Sequence, residues 1–213
     1  PALVAERYKG SRIVAFSTGN VYGLSRIGSA GSNESTTLSP VGEYAQSCLG
    51  RERMFEHFSA RHGTPGRIVR LNYAIDMRYG VLADVAGKIH RGEPVDVTMG
   101  YVNVIWQGDA NAQVLRALAH CTAPTSPINC TGPETISVRW LAAELGARMG
   151  KPVHVVGQEA ETALLSDTTL ASTLFGYPLV PLGRMLDWVA DWVARGGASF
   201  GKPTKFEVRN GAF

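Results

Sequence analysis

Residues 11–23 read SRIVAFSTGNVYG and residues 39–52 read SPVGEYAQSCLGRE, and the pairing of the two decides the fold. The first is a short apolar run that ends in hydroxyl residues and a turn, the pattern of a buried strand with polar side chains at its carboxyl end. The second opens a helix at Ser39 and Pro40. From Val41 through Tyr44, Ala45, Cys48, Leu49, Phe55 and Phe58, apolar groups recur at three- and four-residue steps until HGTPG, residues 62–66, ends it. Tyr44 and Cys48 are four residues apart and so lie one turn apart on a single helix face. Residues 18–40 form a long Gly/Ser/Thr loop, and loops of that length in compact domains are more often functional than not.

Working outward, RIVRL (67–71) reads as a second buried strand. Strand, loop, long helix and strand in alternation predict an α/β protein with a parallel sheet and crossover helices. The opening PALVAERYKG has the spacing of the last turns of an amphipathic helix. Further elements are a helix over 81–90, strand-like PVDVT (94–98) and YVNVIW (101–106), and a helix from Asp109 as N-cap to His120. SPINC (126–130) is a short strand, followed by a helix over 138–149, a strand PVHVV (152–156), a short helix ending at Gly176 and a last helix over 182–194. Residues 196–213 read as a Gly-rich tail.

Composition narrows the function classes. Hydrophobic residues make up 45% of the 213 and charged residues 18%, as in ordinary globular proteins. The formal charge of +3 is spread without runs, which argues against a nucleic-acid or membrane-surface partner. Cys48, Cys121 and Cys130 show no paired spacing and read as reduced thiols of a cytoplasmic protein. No apolar run approaches a membrane span, and no signal peptide is present. GASFG (197–201) matches a hydrolase nucleophile pattern but follows a helix where that chemistry needs a strand. The five histidines are dispersed, so no metal site is expected.

Together, SRIVAFSTGNVYG and SPVGEYAQSC resemble the extended branch of the short-chain dehydrogenase/reductase family, the NAD-dependent epimerases and dehydratases. The resemblance continues through RIVRLNYA, QGDANAQVLRAL, INCTGPETISV and LFGYP, covering nearly the whole chain. It implies the C-terminal part of a Rossmann-like doubly wound sheet plus a small mixed α/β substrate region. Residues 1–80, with about 101–130 returning, would belong to the nucleotide-binding domain, and 81–100 with 131–195 to the substrate region. It also implies NAD or NADP as cofactor, a small hydroxylated substrate such as a sugar or sugar nucleotide, and a homodimer through the helix 41–62.

The resemblance assigns roles residue by residue. Thr18 falls on the catalytic hydroxyl and Tyr44 on the proton-exchanging tyrosine, whose neighbouring substrate carbon would give hydride to the cofactor. Ser17, Tyr44, Asn72, Tyr73 and Ala74 fall on the cofactor side, and Asn20, Tyr101, Trp106 and Gln107 on the substrate side, although Trp106 reads equally well as a core residue. The chain departs from the pattern in two ways. It enters just before the family's fifth strand, so the strand, Gly-rich turn and helix that hold the pyrophosphate, roughly the first third of the pattern, are not in this sequence. Cys48 also stands at the family's lysine position. Lowering a phenol by about three pH units asks for about 4 kcal/mol, which an ammonium about 4 Å away supplies and a thiol does not. Arg51, about 700° of helical rotation after Tyr44, points the same way and could bend back as a partial substitute. The plainer reading leaves Arg51 and Arg53 as solvated charges and Cys48 as a packing residue on the apolar stripe.

Overall fold

The computed structural model describes residues 1–211; Ala212 and Phe213, the end of the Gly-rich tail, lie outside the described residues. Three parallel strands form the central sheet. Ile13–Thr18 is at one edge, Gly66–Leu71 is central and Ser126–Cys130 is on the other side. The register pairs Thr18 with Leu71 and Leu71 with Cys130, so the three carboxyl ends lie level. Among the described residues, no strand pairs with the outer edge of Ile13–Thr18.

The long helix Gly42–His62 crosses from the first strand to the second, as the apolar spacing requires. It begins after Val41, later than the Ser39–Pro40 signal, because Gly42 takes a left-handed backbone (φ 80°) that turns the loop into the helix. Gly63 closes it in the left-handed conformation, its N–H donating to the Ser59 carbonyl at 2.8 Å. A buried ion network fastens this helix beneath the sheet. Glu52 Oε2 accepts from Arg70 Nη2 at 2.7 Å, and Arg70 Nη1 donates to Tyr22 Oη at 2.7 Å. Tyr22 Oη then donates to Asn129 Oδ1 at 2.9 Å, and the Ser17 hydroxyl donates to Glu52. Helix, loop and all three strands are thereby tied through one set of polar contacts.

The second half forms a separate apolar cluster in which the helices Val81–Arg91, Val138–Met149 and Leu182–Ala194 pack together through Leu82, Val85, Leu141, Leu145, Leu186 and Val189. Two-residue strand pairs stitch it to the sheet. Ala74–Ile75 runs parallel to Ile105–Trp106, and Tyr101–Val102 antiparallel to Ile136–Ser137. YVNVIW is therefore two short strands with different partners. PVDVT and PVHVV are each reduced to two residues, Val95–Asp96 beside Val155–Val156. The helix expected from Asp109 starts earlier, at Gln107, and gives way to a 3-10 turn at Leu118–His120. Asp109 lies inside the first helical turn, where its Oδ2 accepts from the Val180 N–H at 2.9 Å. Cys48, Cys121 and Cys130 are free thiols. Among the described residues, no helix is long and apolar enough to cross a membrane and no group of three or more His, Cys, Asp or Glu residues could hold a metal ion.

Candidate active site

Chemistry-bearing side chains converge at the level carboxyl ends of the sheet, where open α/β folds place their ligands. Thr18, the last residue of its strand, is buried and caps the 3-10 turn Gly19–Val21. Its Oγ1 accepts from the backbone N–H and from Nδ2 of Asn20, each at 3.2 Å. With those two donors occupying its lone pairs, the Thr18 hydroxyl has its own proton to give. It gives it to the Tyr44 phenol, which the first turns of the long helix bring alongside. Burial holds the Tyr44 phenol above its ordinary pKa. The Thr18 hydrogen bond opposes that shift, the nearby Cys48 thiol adds to it, and the positive charge of Arg51 opposes it.

One turn further along the helix, Cys48 is buried against Val21 and Tyr22, with Leu38 and Leu49 beside it, as the apolar stripe predicts. Arg51 is not a solvated surface charge. Its side chain folds back so that Nη2 donates to Cys48 Sγ at 3.1 Å, and its Nε is buried with no partner among the protein groups described. A delocalised guanidinium is less strongly hydrated than an ammonium and is better suited to such a half-buried position. Arg53, two residues on, is exposed as expected.

A cavity of about 550 Å³ opens above this constellation. Of the residues singled out in the sequence, Thr18, Asn20, Tyr44, Asn72, Tyr73, Ala74 and Gln107 line it. Tyr73 holds a left-handed backbone (φ 41°) at the end of the second strand, and burial raises its phenol above the ordinary value. Asn72 is anchored beside it, its N–H donating to the Cys130 carbonyl at 3.0 Å and its Nδ2 to the Leu164 carbonyl at 3.3 Å.

Three assignments are corrected. Ser17 faces away from this cavity, because alternation along the strand turns it toward Glu52 in the buried network. Tyr101 packs against Met99, Ala163 and Leu165. Trp106 joins the helical core and meets the Trp188 ring edge-to-face at 5.1 Å. Both are packing residues, consistent with their place in two-residue strands whose alternate side chains face inward.

One wall of the cavity was not anticipated. The tail returns to the cavity, and Lys202, Pro203, Thr204, Lys205 and Phe206 line it together with Tyr79 and Gly80. Phe206 is buried in the helical core, the N–H and hydroxyl of Thr204 donate to Asp84, and Arg209 Nη2 donates to Thr162 Oγ1 at 2.7 Å. An aromatic residue following Lys-Pro-Thr-Lys was the available signal in a segment otherwise read from its glycines.

No family model matches the sequence, and a search of curated proteins finds no match. Solved structures do match in shape. The UDP-glucuronic acid 4-epimerase of Bacillus cereus, in complex with NAD, superposes with a TM-score of 0.76 at 20% identity, covering 91% of this chain and 64% of that one. The Thermus thermophilus UDP-glucose 4-epimerase in complex with NAD gives 0.75 at 19% identity over 92% of this chain and 67% of that one. The dTDP-glucose 4,6-dehydratase of Bacillus anthracis in complex with NAD gives 0.77 at 14% identity over 91% and 65%. The chain shares the fold of these epimerases and of the dehydratase and spans 64–67% of their length.

Proposed function

We propose that this chain carries the catalytic and substrate-binding part of an NAD-dependent oxidoreductase of the epimerase/dehydratase type, acting on a sugar nucleotide. The observation that carries the reading is the Thr18–Tyr44 hydrogen bond on the wall of a cavity at the carboxyl ends of a parallel sheet. In support, neighbours of the same fold are 4-epimerases and a 4,6-dehydratase solved with NAD.

The residues present fit one end of the cofactor. Asn72, Tyr73 and Ala74 line the cavity where a nicotinamide would lie, and the buried, unpartnered Arg51 Nε is a donor of the kind a ribose hydroxyl accepts from. The strand, Gly-rich turn and helix that would hold the pyrophosphate are not among the described residues. When bound, the nicotinamide supplies hydride transfer.

This chain's own residues handle the proton. Tyr44 takes it from, and returns it to, the substrate hydroxyl being oxidised, and Thr18 turns its one hydroxyl proton from the Tyr44 phenol to the substrate oxygen as charge develops there. Arg51 supplies part of the positive field that a lysine at position 48 would give, passed across the Cys48 thiol. Gln107 and Asn20 line the cavity as contacts for substrate hydroxyls.

The test uses the full-length protein with NAD and a panel of sugar nucleotides, following product formation by chromatography, because a hydride returned to the product leaves no net reduced cofactor. Tyr44→Phe should lower turnover by about a hundredfold or more while leaving substrate affinity within a few-fold. Unchanged turnover in Tyr44→Phe, or no quenching of bound NADH fluorescence, would sink the reading. A second reading, a nucleotide-binding sensor of the same fold without turnover, draws on the thiol at position 48 and the raised proton affinity of Tyr44.

A further inference from the structure

Two non-glycine residues among those described hold a left-handed backbone, Tyr73 (φ 41°) and Lys205 (φ 53°), and both line the same cavity. Residues kept in sparsely populated backbone regions gather where the surrounding structure over-determines them, commonly at ligand clamps. For Lys205 the determining contacts are specific. Thr204 is pinned to Asp84, Phe206 is sunk in the helical core, and the Val208 N–H closes a turn onto the Lys205 carbonyl at 3.0 Å. The chain is thus held on both sides of Lys205 in a shape that the residue itself disfavours.

Most of the nearby carboxylates are already paired with other cations, Glu207 with Lys88 and Asp76 with Arg78 at 2.8 Å, while Asp84 keeps its charge and is held by the neutral donors of Thr204. Lys202 and Lys205 take part in none of the ion pairs among the described residues. Lys202 and Lys205, both exposed, therefore line the same cavity as Thr18 and Tyr44.

We infer that the strap 202–206 is a substrate-binding element whose Lys202 and Lys205 hold an anionic oxygen group of the ligand, a phosphate or a carboxylate, and so orient the reacting carbon toward Tyr44. Lysine suits this as a mobile point charge with three donors, and the contact should weaken with salt because both groups are open to solvent. The inference deepens the sugar-nucleotide reading and rests on it for the identity of the ligand, not for the existence of the anion site.

The test is titration of the full-length protein with pyrophosphate, glucuronate, UDP-glucose and UDP-glucuronate. Two signals are followed, amide shifts at Thr204–Phe206 and protection of Lys202 and Lys205 from acetylation. At least one anion should protect both lysines. K202Q/K205Q should weaken its binding by about tenfold or more at low salt, whereas the distant K151Q, with the same loss of charge per lysine, should not. Losses shared by pyrophosphate, UDP-glucose and UDP-glucuronate identify the phosphates as the group held; losses confined to glucuronate and UDP-glucuronate identify a carboxylate. Absence of protection and of amide shifts with every ligand overturns the inference, whatever the Tyr44→Phe result. Anion binding at the strap combined with unchanged turnover in Tyr44→Phe overturns only the enzymatic reading.

Discussion

Arg51 Nη2 lies 3.1 Å from Cys48 Sγ, so the one-turn step from a tyrosine to a cation has become a step of two turns with a thiol between. The helix supplies the direction and the arginine's length covers the extra rise. Arg51→Gln should remove the opposing positive field and push Tyr44 still higher, moving the ascending limb of kcat/KM, where the phenol gains its base form, upward in pH. Cys48→Lys should move it downward and raise turnover near neutrality by about tenfold or more. The measurement is the pH profile of turnover for both variants. A Cys48→Lys protein that binds NAD tightly and turns nothing over would favour the sensor reading.

Thr18 accepts twice from Asn20 and donates to Tyr44. Thr18→Val keeps the shape and removes the donor, so kcat should fall by about ten- to a hundredfold with little change in KM. Thr18→Ser should retain most activity. Steady-state kinetics of the pair separate the hydroxyl from the methyl.

Glu52 and Arg70 form an ion pair that is 1% and 3% exposed. Removing one partner strands the other, so Glu52→Ala should destabilise the protein by about 3–5 kcal/mol in urea unfolding. The paired change Glu52→Met with Arg70→Met should cost less than Glu52→Ala alone, because no uncompensated charge is buried.

Alkaline stability follows from the same burial. The Cys130 thiol is pushed up to about 12 from its ordinary 9.0, and Tyr22, Tyr44 and Cys121 are raised as well, each chiefly by burial. A folded-state value above the unfolded one means that the native protein holds the proton while the unfolded chain releases it. This contribution to stability is therefore full below about pH 9 and is lost as the pH rises toward about 12. Thermal unfolding should show a falling midpoint across that window, and Cys130 should resist alkylation in the native state at pH 8.

Much of the fold was legible because its signals were local. Apolar runs marked the strands at 13–18, 66–71 and 126–130, and three-to-four spacing marked the long helix. Thr18 and Tyr44 could be placed because each sits at the end or start of such an element. Tyr101 could not be sided, and Trp106 stayed open between core and substrate contact, because their strands are two residues long and which face is buried there depends on partners far away in sequence. Ser17 failed for a related reason: alternation required it to oppose Thr18, but only the fold shows that Glu52 waits on that side. Arg51 could be aimed by helix geometry, yet its choice between solvent and Cys48 is a tertiary matter. The strap had no periodicity, and what makes it a wall is anchoring by Asp84 and the core around Phe206.

The bare edge of Ile13–Thr18 has a consequence for handling and for assembly. A strand paired on one side offers its remaining amides and carbonyls as a template, and Phe16 stands exposed in it. Residues 1–211 on their own should be prone to sticking edge to edge. A parallel strand laid in register there would cover that edge and add to the level strand ends beneath the cavity, so edge-to-edge sticking and the extent of the cavity floor are expected to change together.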